Sequence, residues 1–211
     1  MRRSTQLRGR RVVGLVPLGI LAFGLFVPHP VDAAGGTPTD HVRETLESAL
    51  KLLKDPALLG PEKDAARKQR VQKLIASRFN YGEMAERSLD SHWTKLSGQQ
   101  RQAFVSLFGE LFERSYSRLV LNSLPDQQII YAGETVDGTR ALVKTILVDK
   151  RGDRLPVDYQ LKRPNGRWEL FDVVIDGVSI VSNYQSQFNK IIETSSFDEL
   201  VRKMRLKREE G

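Results

Sequence analysis

Cysteine is absent from the 211 residues, so no disulfide framework holds this fold and no thiol serves as a nucleophile. Histidine is almost as scarce. Of three, His29 falls in the N-terminal leader, leaving His41 and His92 for general acid–base work. His41 and Glu44 stand at metal-ligand spacing on a helix, but with no second ligand pair an exposed helical face explains them better. His92 beside Trp93 reads as a satisfied structural histidine. There is no Gly-rich phosphate loop and no nucleophile elbow, because the glycines sit at turns and helix ends. Repeats and low-complexity segments are also missing. The chemistry of common enzymes therefore has few places to reside.

Long apolar runs are limited to one, residues 12–27. It follows Arg2, Arg3, Arg8, Arg10 and Arg11 and precedes Val31-Asp32-Ala33, the order of a secretory signal peptide with cleavage after Ala33. The run falls short of the roughly 20 residues that span a bilayer, and its interior Pro17, Gly14, Gly19 and Gly24 argue against a permanent anchor. The twin-arginine pattern is matched only weakly.

Removing residues 1–33 changes the charge argument. The whole chain carries 33 Lys+Arg against 26 Asp+Glu, a formal +7, but the remaining 178 residues carry 28 against 25. A net +3 gives no electrostatic motive for nucleic-acid binding. The expectation is one exported domain, residues 34–211.

That domain reads as helices, then a meander, then helices. Val42, Leu46, Ala49, Leu50 and Leu53 form a helical stripe from Thr39 to Asp55-Pro56. A second helix opens at Pro61 with Val71, Leu74, Ile75 and Phe79 on one face, and a third covers Tyr81 to Ser91. Ser97 with Gln100 forms a capping box for the longest helix, whose apolar face is Phe104, Leu107, Phe108, Leu111, Phe112, Leu119 and Val120. After Pro125 the period becomes two, giving strands near 127–136, 139–149, 154–163 and 167–176. Helical period resumes after Asp176-Gly177. The fold class is α+β, a four-stranded antiparallel meander with helices gathered on one face.

Two-residue loops at Asp137-Gly138 and Asn165-Gly166 set an expected register. It aligns Ile129, Ile146, Val157 and Val174 in one rung, and Gly133, Leu142, Leu161 and Leu170 in another. Between them stand Tyr131, Lys144, Tyr159 and Asp172, an opposite-charge pair with two phenols in an apolar face. Three readings of that group stay open: a structural ion pair, a ligand contact, or the acid–base site of a small α+β enzyme. A protein-interaction module docking a partner helix on the apolar face is a further alternative.

The stretch Phe79-Asn80-Tyr81-Gly82-Glu83-Met84-Ala85, followed by Trp93, Ser97 to Phe104, Phe108, Leu111 and Tyr116, resembles the middle of the MlaC family of periplasmic phospholipid-binding proteins, also known for toluene tolerance. Val148-Asp149, Leu155 to Tyr159 and the run Trp168 to Ser179 resemble its sheet and exit helix. The similarity covers residues 40–207.

It implies a monomeric carrier, not an enzyme, with phospholipid as cargo and no cofactor. Its partners would be an inner-membrane ABC transporter complex with a lipid-binding subunit and an outer-membrane lipoprotein complex. Taken with the apolar sheet face, it implies contacts to cargo from Phe79, Met84, Trp93, Phe104, Phe108, Leu111, Tyr131, Leu142, Ile146, Val157, Tyr159, Leu161, Leu170, Val174 and Val178. The cavity is expected beside the helix bearing Phe104 and Phe108, with Gly133 leaving room. Lys63, Arg67, Lys68 and Arg70 on the second helix are candidates for partner docking, set against a solvated helix face.

Overall fold

The computed structural model describes residues 36–209. The expected signal peptide and cleavage point lie outside the described residues. Helix α1 (Pro38–Leu53) starts on a reciprocal cap: the Asp40 N–H donates to the Thr37 hydroxyl and the Thr37 N–H to the Asp40 carboxylate, both at 3.0 Å. The helix expected from Pro61 begins as a single 3-10 turn and continues as α2 (Asp64–Arg78). Helix α3 (Tyr81–Leu89) ends in a 3-10 segment through Lys95, and α4 (Gly98–Ser123) carries the expected Ser97–Gln100 capping box.

Strands β1 (Gln128–Asp137), β2 (Arg140–Val148), β3 (Arg154–Lys162) and β4 (Glu169–Ile175) form the meander, followed by a short β5 (Val178–Ser179). The sheet runs β1-β2-β3-β4-β5, antiparallel throughout. The fifth strand was not expected. Asp176 and Gly177 both take positive φ, +48° and +78°, so they make a two-residue hairpin of the primed type. Helices α5 (Ile180–Thr194) and α6 (Phe197–Glu209) complete the chain.

The register differs from the expected one by one residue between β2 and β3 and along β1 up to Tyr131, and by two residues from Gly133 to the β1–β2 turn. Asp137 stays in the ladder opposite Arg140, so the turn is Gly138-Thr139, with Gly138 at φ +55°. The next loop spans residues 149–153 and is held by the Asp149 carboxylate, which accepts from the Arg151 and Asp153 N–H groups at 2.8 and 2.9 Å. A one-residue slip turns a strand over. Val143 is therefore fully buried, whereas Leu142, Lys144 and Ile146 face away from the core with Asp158 and Val174.

Two bulges complete the correction. One lies at Ala132 and the other at Phe171. The Phe171 bulge keeps the expected Leu161–Leu170 pairing but replaces Tyr159–Asp172 with Tyr159–Val173 and Gln160–Asp172. The core face thus reads Ala141, Leu161, Leu170, then Val143, Tyr159, Val173, then Thr145, Val157, Ile175.

The α2–α3 joint is fastened to the sheet. Phe79 bridges to Leu170, the Asn80 N–H donates to the Leu170 carbonyl at 2.7 Å, and the Asn80 amide donates to Glu169 at 2.6 Å. The Asn80 side-chain oxygen also caps α3 by accepting from the Glu83 N–H at 2.8 Å.

Candidate functional site

The N-terminal half of α4 is solidly packed. Phe104 lies 5.9 Å from Phe188 and 5.8 Å from Phe197, and Phe108 lies 5.3 Å from Tyr184, centroid to centroid. These contacts fill the space between this half of α4 and α5, where Phe108 lies. The hollow lies one helical repeat further on. It holds about 220 Å³ and is bounded by α1, α2, the second half of α4 and the core face of the sheet.

Its wall is assembled by helical and strand periodicity together. Leu46 and Ala49 come from α1, Val71, Leu74 and Ile75 from α2, Phe112, Tyr116, Leu119 and Val120 from α4. The sheet supplies Leu147, Leu155, Val157, Tyr159, Leu170, Val173 and Ile175. Among the residues expected to contact cargo, Phe79, Val157, Tyr159 and Leu170 line this hollow.

The others are placed elsewhere. Met84, Phe108, Leu111 and Leu161 are buried in packed core outside it, and Phe104, also buried, lines the second hollow between α4 and α6. Tyr131 lies under the Arg43 guanidinium at 4.1 Å, and Trp93 lies under Arg101 at 5.2 Å. Leu142, Ile146 and Val174 are on the far face of the sheet because of the register, and Val178 is 61% exposed in β5. Gly133 has open space around it on β1 and walls no cavity.

The α1 and α2 contributions were legible as apolar stripes, but a stripe does not say whether it meets side chains or a void. Leu147 and Leu155 became readable only with the true register, which makes them cross-strand neighbours on the core face.

The hollow contains no charged side chain. Its polar groups are Thr45, Tyr116, Ser123 and Tyr159. Burial pushes the Tyr116 and Tyr159 phenols well above their ordinary range, so both are neutral hydrogen-bonding groups at any physiological pH. The Thr45 hydroxyl is satisfied by the His41 carbonyl at 2.7 Å. Such a lining suits hydrocarbon and presents no carboxylate, amine or imidazole.

A second hollow, about 340 Å³, is a groove between α4 and α6 floored by Phe104, Leu107, Phe197 and Val201 and edged by Glu110, Asp198, Arg205 and Arg208. An ion pair of 3.2 Å joins Arg208 to Glu110 there.

The expected Lys144–Asp172 constellation is dispersed. Lys144 is exposed on the far face, opposite Asp158. Asp172 is buried and accepts from the Val173 and Val181 N–H groups at 2.9 and 3.1 Å, from Ser179 at 2.5 Å and from Gln160 at 3.2 Å. It anchors the start of α5. No group of three or more His, Asp or Glu among the described residues is placed to hold a metal ion.

An antiparallel meander with helices on one face and a dry cavity between the layers defines an α+β hydrophobic-ligand-binding architecture. Residues 43–206 match the MlaC protein family, and the chain belongs to that family. It is similar to the intermembrane phospholipid transport system binding protein MlaC of Haemophilus influenzae, with 27% identity over 120 residues, 55% of this chain and 56% of that one. It is also similar to the toluene tolerance protein ttg2D of Pseudomonas putida, with 24% identity over 104 residues, 49% and 48% of the two chains. These alignments span about half the length of each relative.

The solved structure of a phospholipid-binding protein from Ralstonia solanacearum, in complex with a phospholipid, has a TM-score of 0.69 at 20% identity. The match covers 81% of this chain and 96% of that one, so the fold is shared.

Proposed function

We propose that this protein is a periplasmic carrier that takes a phospholipid between an inner-membrane ABC-type transporter and an outer-membrane lipoprotein complex. The observation that carries this reading is the cavity, apolar and free of charged side chains, in a member of the MlaC family. Two acyl chains of about 16 carbons each exposed to water cost on the order of 25 kcal/mol at about 0.8 kcal/mol per CH₂. A shallow groove cannot offset that, whereas a dry interior lined by leucine, valine and phenylalanine can. The phosphate, expensive to bury, stays at the mouth. No catalytic step is required, and none is offered by neutral phenols and hydroxyls. The alternative of an acid–base enzyme loses its candidate site with the separation of Lys144 from Asp172.

The test is to purify the exported protein from a bacterial periplasm, record native mass spectra and extract it with organic solvent. Phospholipid-sized adducts are expected, and apo protein alone would overturn the carrier reading. A matched variant is Ala49→Phe. Ala49 is 5% exposed on the α1 side of the cavity, and a cavity of about 150 Å³ accommodates a benzene ring. The added ring therefore fits within the 220 Å³. The variant is expected to fold and to lose its lipid.

A further inference from the structure

Helix α1 supplies Thr45, Leu46 and Ala49 to the cavity wall. His41 lies one turn earlier on the same helix, and its carbonyl accepts from the Thr45 hydroxyl at 2.7 Å. The imidazole is half-buried, and its Nε2 is enclosed without a hydrogen-bond partner among the described residues. A nitrogen so placed suits a neutral ring, because protonation would create a buried N–H donor with nothing to accept from it.

The surroundings do not compensate a proton there. Four charged groups act on the ring: Glu44 on its own helix, Arg78 at the end of α2, Arg167 in the β3–β4 turn and Glu169 on β4. Both carboxylates are already engaged, Glu44 by Arg78 at 3.8 Å and Glu169 by the Asn80 amide at 2.6 Å. An imidazolium would be a third cation beside two guanidinium groups, against two carboxylates. It finds an acceptor in water, and reaching water means leaving the seam that α1 makes with α2 and β4.

The start of α1 is placed to follow it. Its polar ties to β1 are exposed ones, from the Thr39 N–H and hydroxyl to Glu134 at 2.7 and 2.6 Å, and exposed contacts of this kind are worth little.

We propose that His41 is an acid-sensitive latch on the cavity wall: on protonation its ring turns out to water, the first turns of α1 leave the sheet, and the cavity opens to release its lipid. The latch rests on the carrier reading for the identity of the cargo, but not for the movement of α1. A histidine that takes up its proton only in the open state couples that state to pH. With an ordinary imidazole in the open state, near 6.5, and a ring kept neutral in the closed one, going from about pH 7.5 to 5 favours opening by at most about thirtyfold.

The experiment loads the exported full-length protein with an acyl-labelled phosphatidylethanolamine and follows transfer to phosphatidylcholine vesicles at about pH 7.5 and 5. Transfer is expected to accelerate in acid by at least about threefold and by no more than about thirtyfold. His41→Gln should abolish the acceleration, and His92→Gln should keep it. Arg167→Glu, in an exposed turn, gives the imidazolium a carboxylate partner in the closed state and should at least halve the acceleration. Hydrogen exchange of α1 amides relative to those of α4 at the same pH reads the opening without lipid, and that ratio should rise in acid in the wild type only.

Equal acceleration in wild type and His41→Gln, or an α1-to-α4 ratio that stays level in acid, overturns the latch. Should His41→Gln fail to fold, undiminished acceleration in Arg167→Glu overturns it. Protein that takes up no phospholipid at either pH overturns the carrier reading instead, and the exchange ratio then decides the latch alone.

Discussion

His41 sits half-buried on the first turns of α1, and its Nε2 has no hydrogen-bond partner among the described residues. Burial holds its pKa below the ordinary 6.5, helped by the nearby Arg78 and Arg167 and opposed by Glu44 and Glu169. The folded state thus prefers the neutral ring, so the unfolded chain binds the proton first as pH falls below about 6.5. Stability is fully present above that value and declines below it. Thermal unfolding between about pH 7.5 and 5 should show a wild-type slope that His41→Gln flattens, and an equal slope in both proteins would refute the assignment.

Asp172 tests a different residue-level argument. Four donors converge on its carboxylate. Asp172→Asn turns one acceptor into a donor and should cost about 1–3 kcal/mol in urea unfolding. Lipid content measured on the folded variant should not change, because Asp172 lies outside the cavity lining.

Elements meet at places that propensity alone would judge unfavourable. Gly109 lies inside α4, where alanine would ordinarily favour the helix by about 1 kcal/mol. A Cβ there, however, would stand 2.7 Å from the Tyr81 ring of α3, which also packs against Phe112 at 5.9 Å. The glycine permits the close approach of the two helices. Gly109→Ala is expected to destabilise the protein by about 1–3 kcal/mol despite the better propensity, and a gain in urea midpoint would show that the ring yields.

The hairpins teach a related lesson. Asp137-Gly138 and Asn165-Gly166 mark turns correctly, yet the identity of the two central residues is decided by which neighbours pair. The loop of residues 149–153 pairs Leu142 with Gln160 rather than with Leu161, and that one-residue slip turns β2 over against β3 and exchanges Leu142 for Val143 in the core. The Phe171 bulge then restores the expected Leu161–Leu170 pairing. The Ser97–Gln100 cap is more legible, because it needs only two residues three apart.

At the scale of the molecule, volume is the deciding quantity. A 150 Å³ cavity takes one benzene ring, so 220 Å³ corresponds to roughly nine carbons, far fewer than in two acyl chains. Loading with a phospholipid must therefore widen the space between helices and sheet. The two ends of the cavity are held differently.

On the β4 side, Phe79 and Asn80 are bonded to the strand backbone. On the β1 side, the polar ties of α1 to the sheet are exposed ones: the Thr39 N–H and hydroxyl donate to Glu134 at 2.7 and 2.6 Å, and Arg43 lies over Tyr131. Exposed contacts of this kind are worth little. Hydrogen exchange compared between delipidated and loaded protein should change most in α1 and β1 and least around Asn80. A change confined to α3 and β4 would place the moving boundary on the other side.

The sequence by itself determined the α+β order, the Ser97–Gln100 cap and the approximate turn positions, since each depends on neighbours a few residues apart. Only the tertiary structure decided where the cavity lies. Phe104, Phe108 and Phe112 follow one helical stripe, yet the first two meet Phe188, Tyr184 and Phe197 while Phe112 borders a void. Whether an apolar side chain faces another side chain or empty space depends on the shape of what the rest of the chain brings opposite it, and periodicity carries no record of that.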